Sequence, residues 1–276
     1  MTQGHLIFAQ NSDVDYVTQA YALALTIKKH NKVNSVCLVT NDSVPSKYAA
    51  VFDHIVEIPW GDNAEFSSWK IENRWKLIYA SPYDETMVYD SDMLLLESND
   101  AWWNYFKHKD IVLTNHVVDY RGNLINDTIF RKMFIDNDLP NVYFGFHYFK
   151  KTQRAFEFYK GLELVVKNWQ EVYAKVAPVS TQKFCSMDVS SAIVVKLLDA
   201  FDEFTLPLSS VTFVHMKKDL QGWLSPSSSW QHSLISHVAN NGQISLSNYI
   251  QTGLFHYTED DFLTDSILQI LENINE

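Results

Sequence analysis

Short apolar runs and segments of helical periodicity alternate along the first third of the chain. Strand-like runs occupy residues 5–10, 35–40 and 54–58, and polar residues bound each of them. Between the first two runs, apolar side chains recur at the spacing of one helix face, at Val17, Ala20, Tyr21, Ala24 and Ile27. Strands that alternate with helices are typical of a parallel sheet with right-handed crossovers, so the pattern predicts an α/β fold.

Polar residues also mark where the first helix begins. Asn11 and Ser12 offer side-chain oxygens that can cap backbone amides, and Asp13 and Asp15 place negative charge in the expected first turn. The sequence therefore predicts a helix that begins directly after these two caps.

The rest of the chain continues the mixed pattern without a repeat, a low-complexity tract or a long linker. Strands are predicted at residues 86–89, 111–114, 141–149, 211–214 and 254–255, and helices at 69–80, 152–169, 186–198 and 262–271. We expect one domain over residues 1–276, with a mostly parallel central sheet flanked by helices. Residues 1–115 have the strand–helix alternation that is typical of a nucleotide-binding half.

Charge and cysteine content narrow the class of protein. The formal net charge of −11 argues against a broad nucleic-acid-binding surface, which needs clustered Lys and Arg. Two cysteines, Cys37 and Cys185, cannot form a disulfide framework or a zinc site by themselves. The sequence contains neither a signal peptide nor an apolar run of the roughly 20 residues that span a bilayer. We therefore expect a cytoplasmic protein with reduced thiols.

Polar residues follow three of the predicted strands, where an open α/β sheet binds its ligands. They are Gln10-Asn11 with the nearby Asp13, Asn41-Asp42, and Asp90-Ser91-Asp92. No glycine-rich phosphate loop occurs, so other groups would have to hold a bound diphosphate. Two carboxylates one residue apart at a strand end suit Mg²⁺ or Mn²⁺, although a bare Asp-x-Asp triplet is more often a solvated turn.

Four segments, in order along the chain, are similar to motifs of one enzyme family. They are residues 8–16 with Asp13 and Tyr16, residues 74–77 with Arg74 and Lys76, residues 87–93 around the Asp triplet, and residues 253–257 with His256. On these segments the chain resembles GT-A-fold glycosyltransferases, especially glycosyltransferase family 8, the glycogenin and galactosyltransferase-like group. It is also similar in general pattern to uncharacterised glycosyltransferase-like proteins of large tailed bacteriophages, which would place it in the host cytoplasm.

The resemblance implies roles for the polar residues at the strand ends. It implies that Asp90 and Asp92 hold Mn²⁺ or Mg²⁺, and that the triplet with Ser91 holds the donor diphosphate. On the donor side it implies Asp13 and Tyr16 at the uracil end, and Arg74 and Lys76 near the sugar and phosphates. Asn11 and Asn41, which follow the first two strands, are further candidates for contact with the nucleotide-sugar donor.

The third metal ligand stays open between two histidines. The family's usual late signature, a His followed by Gly and then Lys-Pro-Trp, is absent. His256 is favoured because a small residue and a short predicted strand precede it near the chain end. His215, with Lys217 and residues 222–223, is a partial match to the missing signature and is also a candidate for the donor side.

Two further residues are candidates for the reaction itself. Lys217 follows a short predicted strand and could neutralise a leaving diphosphate as a point charge, whereas the alternative is a surface lysine. Asp188 begins a predicted helix, where a first-turn acid is the ordinary interpretation, but the family places an Asp in the matching region to hold the acceptor or donor sugar. Residues 141–148 could form an acceptor floor around Gly145, or an aromatic core strand.

Together these residues favour metal-dependent transfer of a sugar from a nucleotide-sugar donor, UDP-linked by the resemblance, to an acceptor hydroxyl with retention of configuration. Residues 116–276 would form the acceptor-side half and the C-terminal helix. A glycan and a modified base of phage DNA both remain open as acceptor, and the oligomeric state is open too. Two other functions are alternatives: a sugar nucleotidyltransferase, which would need basic residues where residues 10–16 have none, and a non-catalytic nucleotide-sugar-binding protein.

Overall fold

The computed structural model describes residues 1–65, 67, 69–125, 131–180, 182–207, 213–215, 236–257 and 261–275, and of Phe213 and His215 the backbone alone. Lys217 and residues 222–223, which the sequence singled out, lie outside the described residues. The strands of the described part, numbered along the chain, are β1 (Gln3–Phe8), β2 (Val36–Val39), β3 (His54–Val56), β4 (Glu85–Asp90), β5 (Met93–Leu95), β6 (Ile111–Thr114), β7 (Val117–Val118), β8 (Tyr143–Lys150), β9 (Phe213–His215), β10 (Ser236–Val238), β11 (Ile244–Leu246), β12 (Tyr249–Ile250) and β13 (Leu254–His256).

Six of these strands form a central sheet in the order β3-β2-β1-β4-β8-β6. Strands β1 to β4 run parallel to one another, and β8 is antiparallel to both β4 and β6. The predicted mostly parallel sheet is therefore confirmed, with β8 as the reversed strand. Because β1 is inside the sheet and covered on both faces, Leu6 and Ile7 are both fully buried, as the continuous apolar run in the sequence indicates.

Helices cover both faces of this sheet, as predicted. Ile7 belongs to the apolar cluster that contains the first helix, while Leu6 and Phe8 belong to the cluster that contains two later helices, Gln153–Lys167 and Met187–Leu197. The alternation of side chains along a strand thus divides the core into two layers. The described helices are α1 (Tyr16–His30), α2 (Ser46–Ala49), a 3₁₀ helix (Ile71–Lys76), α3 (Leu77–Ala80), α4 (Trp102–Phe106), α5 (Lys132–Asp136), α6 (Gln153–Lys167), α7 (Trp169–Val176), α8 (Met187–Leu197), α9 (Phe201–Phe204) and α10 (Asp265–Asn273).

A second sheet has the order β5-β13-β9-β7. Strand β4 of the central sheet ends at Asp90 and β5 of the second sheet begins at Met93, so Ser91 and Asp92 form a two-residue connection between the two sheets. Strand β13 pairs antiparallel with β5 and parallel with β9, which brings residues from near the end of the chain beside this connection. The Asp triplet therefore lies at the junction of two sheets.

The first helix begins later than predicted. Its N-cap is Asp15, whose carboxylate accepts a hydrogen bond from the Thr18 amide at 3.1 Å, and no acidic residue lies in the first turn. Asn11 is used differently, since its side-chain oxygen accepts a hydrogen bond from the Val17 amide at 3.0 Å. The residues 11–15 therefore form a turn that connects β1 to α1.

The predicted helix over residues 69–80 is divided in the structure. Residues Ile71–Lys76 form a 3₁₀ helix and Leu77–Ala80 one α-helical turn, after Lys70 in a left-handed conformation with φ of 53°. The three-stranded sheet β10-β11-β12 was not predicted, because its strands have two or three residues each and little apolar periodicity.

Among the described residues no helix is long and apolar enough to cross a membrane.

Candidate functional site

The junction between the two sheets brings together Asp90, Asp92 and His256. Asp90 is the last residue of β4, Asp92 belongs to the two-residue connection, and His256 is the last residue of β13. The pairing of β13 with β5 places His256 opposite Met93, and the Tyr257 amide donates to the Asp92 carbonyl at 3.1 Å. Backbone pairing therefore fixes a histidine next to an aspartate that is distant in sequence.

The side chains of these three residues converge. His256 Nε2 lies 2.9 Å from Asp92 Oδ2, and one ligand atom from each of the three residues lies within 4.8 Å of the others. The set offers two carboxylates and one imidazole, all partly or fully buried. Carboxylates suit Mg²⁺ and Mn²⁺, and an imidazole nitrogen moves the preference towards a transition metal, so the donor set fits the expected cation.

Ser91, which lies between the two aspartates in sequence, contacts the helix α1. Its side chain is buried, and its hydroxyl lies 3.4 Å from Gln19 Oε1 on α1. The two carboxylates thus converge on the site, while the Ser91 hydroxyl faces the helix.

Arg74 is the cationic partner of Asp90. Its guanidinium forms a salt bridge with Asp90 Oδ1 and lies over the Phe8 ring, 4.7 Å from the centroid. Burial raises the pKa of the Asp90 carboxyl, against the opposing effect of Arg74, and the neighbouring Asp92 carboxylate raises it further. Burial also acts to raise the pKa of Asp92, but the charge and hydrogen bond of His256 outweigh it, so the pKa of Asp92 is lowered.

Gly145 on β8 leaves the space that the Asp90 carboxylate occupies. A Cβ atom at this position would lie 2.8 Å from Asp90 Oδ2 and 3.3 Å from Met93 Cε. The sequence suggested that Gly145 allows a ligand to approach the backbone, and in the structure the group that approaches it is the side chain of Asp90. Any larger residue would therefore displace a candidate metal ligand.

A cavity of about 180 Å³ opens beside Asp90 and is lined also by Arg74, Gly145 and Asp188. Apolar and aromatic side chains complete its walls, among them Trp69, Ile71, Phe144, Phe184 and Met187. Both oxygens of Asp188 are engaged: Oδ1 accepts from the Phe144 amide at 2.8 Å and Oδ2 from Arg131 Nη1 at 3.0 Å. Asp188 thus lines the cavity and also connects α8 to β8.

The four candidates from the first two strand ends lie on the same edge of the sheet. The Asn11 backbone amide donates to Asp42 Oδ2 at 2.7 Å, and Asn41 Oδ1 accepts from the Ile58 amide at 2.9 Å. Since Asn11 Oδ1 accepts from the Val17 amide, both asparagine side-chain carbonyls are used to hold loops. Asp13 is exposed, and Tyr16 is the half-buried first residue of α1, packed against the core.

The structure does not bring Lys76 to this site. Its ammonium donates to the Gly61 carbonyl at 2.5 Å and lines a different cavity. Residues two apart on a helix do not share a face, so Arg74 and Lys76 point in different directions. The backbone of His215 lies opposite His256 in the pairing of β9 with β13, and its side chain is outside the described part, as is Lys217.

Solved structures with a similar architecture include glycosyltransferases. The galactosyltransferase LgtC in complex with donor and acceptor sugar analogues matches 99% of this chain and 95% of its own, with a TM-score of 0.54 and 11% identity. Mouse xyloside xylosyltransferase 1 matches 95% of this chain and 99% of its own, with a TM-score of 0.57 and 9% identity. No protein-family model and no curated protein matches the chain. The fold is a GT-A glycosyltransferase fold. Identities this low establish the fold alone.

Within this GT-A fold, sequence reasoning missed Arg131, which binds the cavity residue Asp188. It is 2% exposed, donates from Nε to Asn141 Oδ1 at 2.7 Å, and holds Asp188 from Nη1. Its guanidinium also lies over the Tyr143 ring, 3.8 Å from the centroid. A basic residue between apolar neighbours, in Ile-Phe-Arg-Lys-Met-Phe, is the signal that could have indicated a buried anchor.

Proposed function

We propose that this chain is a glycosyltransferase that takes a sugar from a nucleotide-sugar donor and uses a divalent cation held by Asp90, Asp92 and His256. The observation that carries the proposal is the convergence of these three side chains within 4.8 Å, next to a cavity at the carboxyl end of β4. In open α/β sheets, ligands bind beyond the carboxyl ends of the strands. The GT-A fold supports sugar transfer as the reaction class, since the similar structure of LgtC is that of a galactosyltransferase in complex with donor and acceptor sugar analogues.

The metal ligands and Arg74 have complementary roles in this proposal. Mn²⁺ or Mg²⁺ at the triad would offset the charge that develops on the departing nucleoside diphosphate. Arg74 is bound to Asp90 and also lines the cavity, so its guanidinium is close enough to donate to the donor sugar or phosphate beside it. The apolar and aromatic walls of the cavity would reduce contact with water when the donor is bound and so strengthen these electrostatic contacts.

On the donor side we propose a UDP-linked sugar, with the base and ribose near Asn11, Asp13, Tyr16 and Asn41. These residues follow β1 and β2, which lie with β4 in the central sheet, so they share one edge with the triad. Lys217 and His215 remain proposed contributors to the same site, Lys217 as a charge on the leaving diphosphate. We propose further that residues 1–115 and 116–276 act as the donor and acceptor halves of one unit.

For the acceptor we propose a hydroxyl group of a glycan, delivered through the cavity beside Asp188. The cavity walls combine aromatic faces with carboxylate oxygens, a composition that suits a sugar. Asp188 would position the acceptor or donor sugar through its carboxylate, which is 26% exposed despite its two hydrogen bonds. Retention of the anomeric configuration is the proposed outcome, and a hydroxyl on a modified DNA base is the alternative acceptor.

The first experiment measures Mn²⁺ binding and UDP-sugar hydrolysis for Asp92→Asn and His256→Gln. Removal of either ligand should weaken Mn²⁺ binding, read by electron paramagnetic resonance of the free ion, and lower hydrolysis by at least about 100-fold. Asp202→Asn on α9, an exposed acid far along the chain from the triad, is the matched control. Wild-type hydrolysis in both ligand variants would contradict the proposal. Tight Mn²⁺-dependent UDP binding without turnover of any UDP-sugar would instead support a non-catalytic binding protein.

A further inference from the structure

A second cavity, of about 450 Å³, shares no lining residue with the cavity beside Asp90. The 3₁₀ helix separates the two, because Arg74 lines the first while Trp75 and Lys76 line the second. The other walls come from the turn after β3 and from α6. This cavity belongs to no part of the proposed transfer site, so its lining residues point to a separate role.

Three aromatic rings form one wall of this cavity. The indoles of Trp60 and Trp75 are stacked, with centroids 5.8 Å apart and an angle of 14° between the planes. The Tyr79 ring meets Trp60 edge-on, with centroids 4.9 Å apart. Trp75 is buried, but Trp60 is 68% exposed and is the most exposed tryptophan of the described residues. One broad indole face is thus presented to solvent at the mouth of a cavity, where burial has not removed it from water.

The backbone holds Trp60 in this exposed position. Trp60 has φ of 58° and Gly61 has φ of 79°, so two consecutive residues adopt the left-handed conformation after Pro59. The Gly61 carbonyl accepts from the ammonium of the buried Lys76, and Asp62 accepts from Gln10 Nε2 at 2.8 Å. A turn fixed on both sides presents the indole at little further cost in conformational entropy when a ligand binds.

Polar groups with paired charges border the aromatic wall. Glu163 and Lys167, one helical turn apart on α6, form a salt bridge of 2.5 Å, and the Lys167 ammonium also lies 5.0 Å from the centre of the Trp75 ring. The exposed Asn63 adds an amide with both a donor and an acceptor. The border therefore offers donors and acceptors without the cluster of unpaired cations that a polyanion requires.

A neutral pyranose matches this arrangement. One face of the ring is made of C–H groups that pack on an indole, and the ring edge carries hydroxyls that both donate and accept hydrogen bonds. We propose that Trp60, Trp75 and Tyr79, bordered by Asn63, Glu163 and Lys167, form a second carbohydrate-binding site for a neutral oligosaccharide. The site binds without reacting, and the proposal does not depend on the transfer reaction.

The test is calorimetric titration of the full chain with neutral hexasaccharides in the presence of EDTA, so that the candidate metal site does not contribute. The probes are maltohexaose, cellohexaose, mannohexaose and chitohexaose. We expect at least one to bind, and Trp60→Ala to weaken that binding by about tenfold or more, equivalent to about 1.4 kcal/mol. Trp60→Phe, which keeps an aromatic face, should restore part of the affinity.

Matched variants distinguish binding at this site from binding to any exposed aromatic ring or to the candidate metal site. Tyr105→Ala removes an aromatic ring that is 49% exposed on α4, outside the cavity, and should bind the hexasaccharide as the wild type does. Asp92→Asn should also bind normally, so a failure of the metal proposal leaves this test intact. The proposal is overturned if no hexasaccharide binds, or if Trp60→Ala binds like the wild type. It is equally overturned if oligouridylate binds in a Trp60-dependent way, or if Trp60 instead drives self-association of the chain.

Discussion

Gly145 and Asp90 face each other across β8 and β4, and their contact can be tested directly. In Gly145→Ala the new methyl group would lie 2.8 Å from Asp90 Oδ2, so the carboxylate must leave its position in the candidate metal site. We expect Mn²⁺ affinity to fall by about tenfold or more, since a shifted ligand weakens a metal site by that order. Calorimetric titration with Mn²⁺ measures the change.

Gly161→Ala is the matched control for this substitution. Its new methyl group would also lie 2.8 Å from a neighbouring atom, here Val194 Cγ1 between α6 and α8. This variant should change the unfolding temperature while Mn²⁺ affinity stays at the wild-type value. Equal Mn²⁺ affinity in Gly145→Ala and the wild type would show that Asp90 does not bind the ion through this carboxylate position.

At the residue scale, the sequence could identify the candidate metal ligands only in part. Asp90 and Asp92 were recognisable because they follow an apolar strand. The sequence could not decide between His256 and His215, and the two residues lie opposite each other in the paired strands β13 and β9. The backbone contact that brings β13 beside Asp92 joins residues more than 150 positions apart, and no local pattern contains it.

At the element scale, helix geometry explains why two predicted donor contacts separated. The sequence has apolar and basic residues at spacings that predict an α-helix over residues 69–80, and both Arg74 and Lys76 were assigned to the donor. Positions two apart diverge on an α-helix and on a 3₁₀ helix alike, and only Arg74 reaches Asp90. Lys70, which caps the start of this helix, has a left-handed backbone conformation. Because it is not a glycine, the sequence gives no signal of that conformation.

The connection of α8 to β8 depends on Arg131 and Asp188. Arg131→Gln leaves the Asp188 carboxylate and the Asn141 and Val142 carbonyl oxygens without their shared donor. We expect a loss of about 3 kcal/mol in the free energy of unfolding, because a buried charge network is broken. Asp188→Asn should cost less, about 1 kcal/mol, since water reaches its 26% exposed side chain. Urea titrations of the single and double variants measure both.

The double variant decides whether the pair acts as a unit. A coupling energy well above zero in the cycle is expected, because each substitution removes the same salt bridge. Strictly additive losses would contradict a direct role of the pair in holding α8 to β8. Lys132→Gln, which removes an exposed salt bridge to Asp136 on the neighbouring helix α5, is the control and should change stability by less than about 1 kcal/mol.

At the scale of the whole molecule, alternating strands and helices predicted the parallel part of the sheet, and long-range pairing determined the remainder. β8 was predicted as a strand, but its reversed direction depends on its pairing with both β4 and β6. The second sheet joins segments from residues 93 to 256, with two or three residues in each strand, too few for a periodic signal. The division into donor and acceptor halves stays a prediction.

Because two histidines are buried in the central sheet, we expect the protein to lose stability in mild acid. Burial lowers the pKa of His5 to about 4 and that of His147 to about 3, against smaller opposing effects of their backbone hydrogen bonds. His5 lies between the Tyr89 hydroxyl and the Val33 carbonyl, and His147 between the Phe144 carbonyl and the Tyr159 hydroxyl. Protonation of either imidazole would place a positive charge in the buried interior of the sheet.

The direction of the effect follows from which state binds protons. Below about pH 6.5 the unfolded chain protonates both imidazoles while the native state keeps them neutral. The free energy of unfolding therefore decreases as the pH is lowered. At pH 5 each histidine should cost about 2 kcal/mol relative to pH 7.5, and the loss continues towards pH 4 for His5 and pH 3 for His147. Urea unfolding at pH 7.5 and pH 5 measures the difference.

His147→Gln should be less stable than the wild type at pH 7.5 but should lose about half as much free energy of unfolding on acidification. The control His237→Gln, at an exposed histidine, should lose the same amount as the wild type. An undiminished loss in both His5→Gln and His147→Gln would assign the acid sensitivity to other groups.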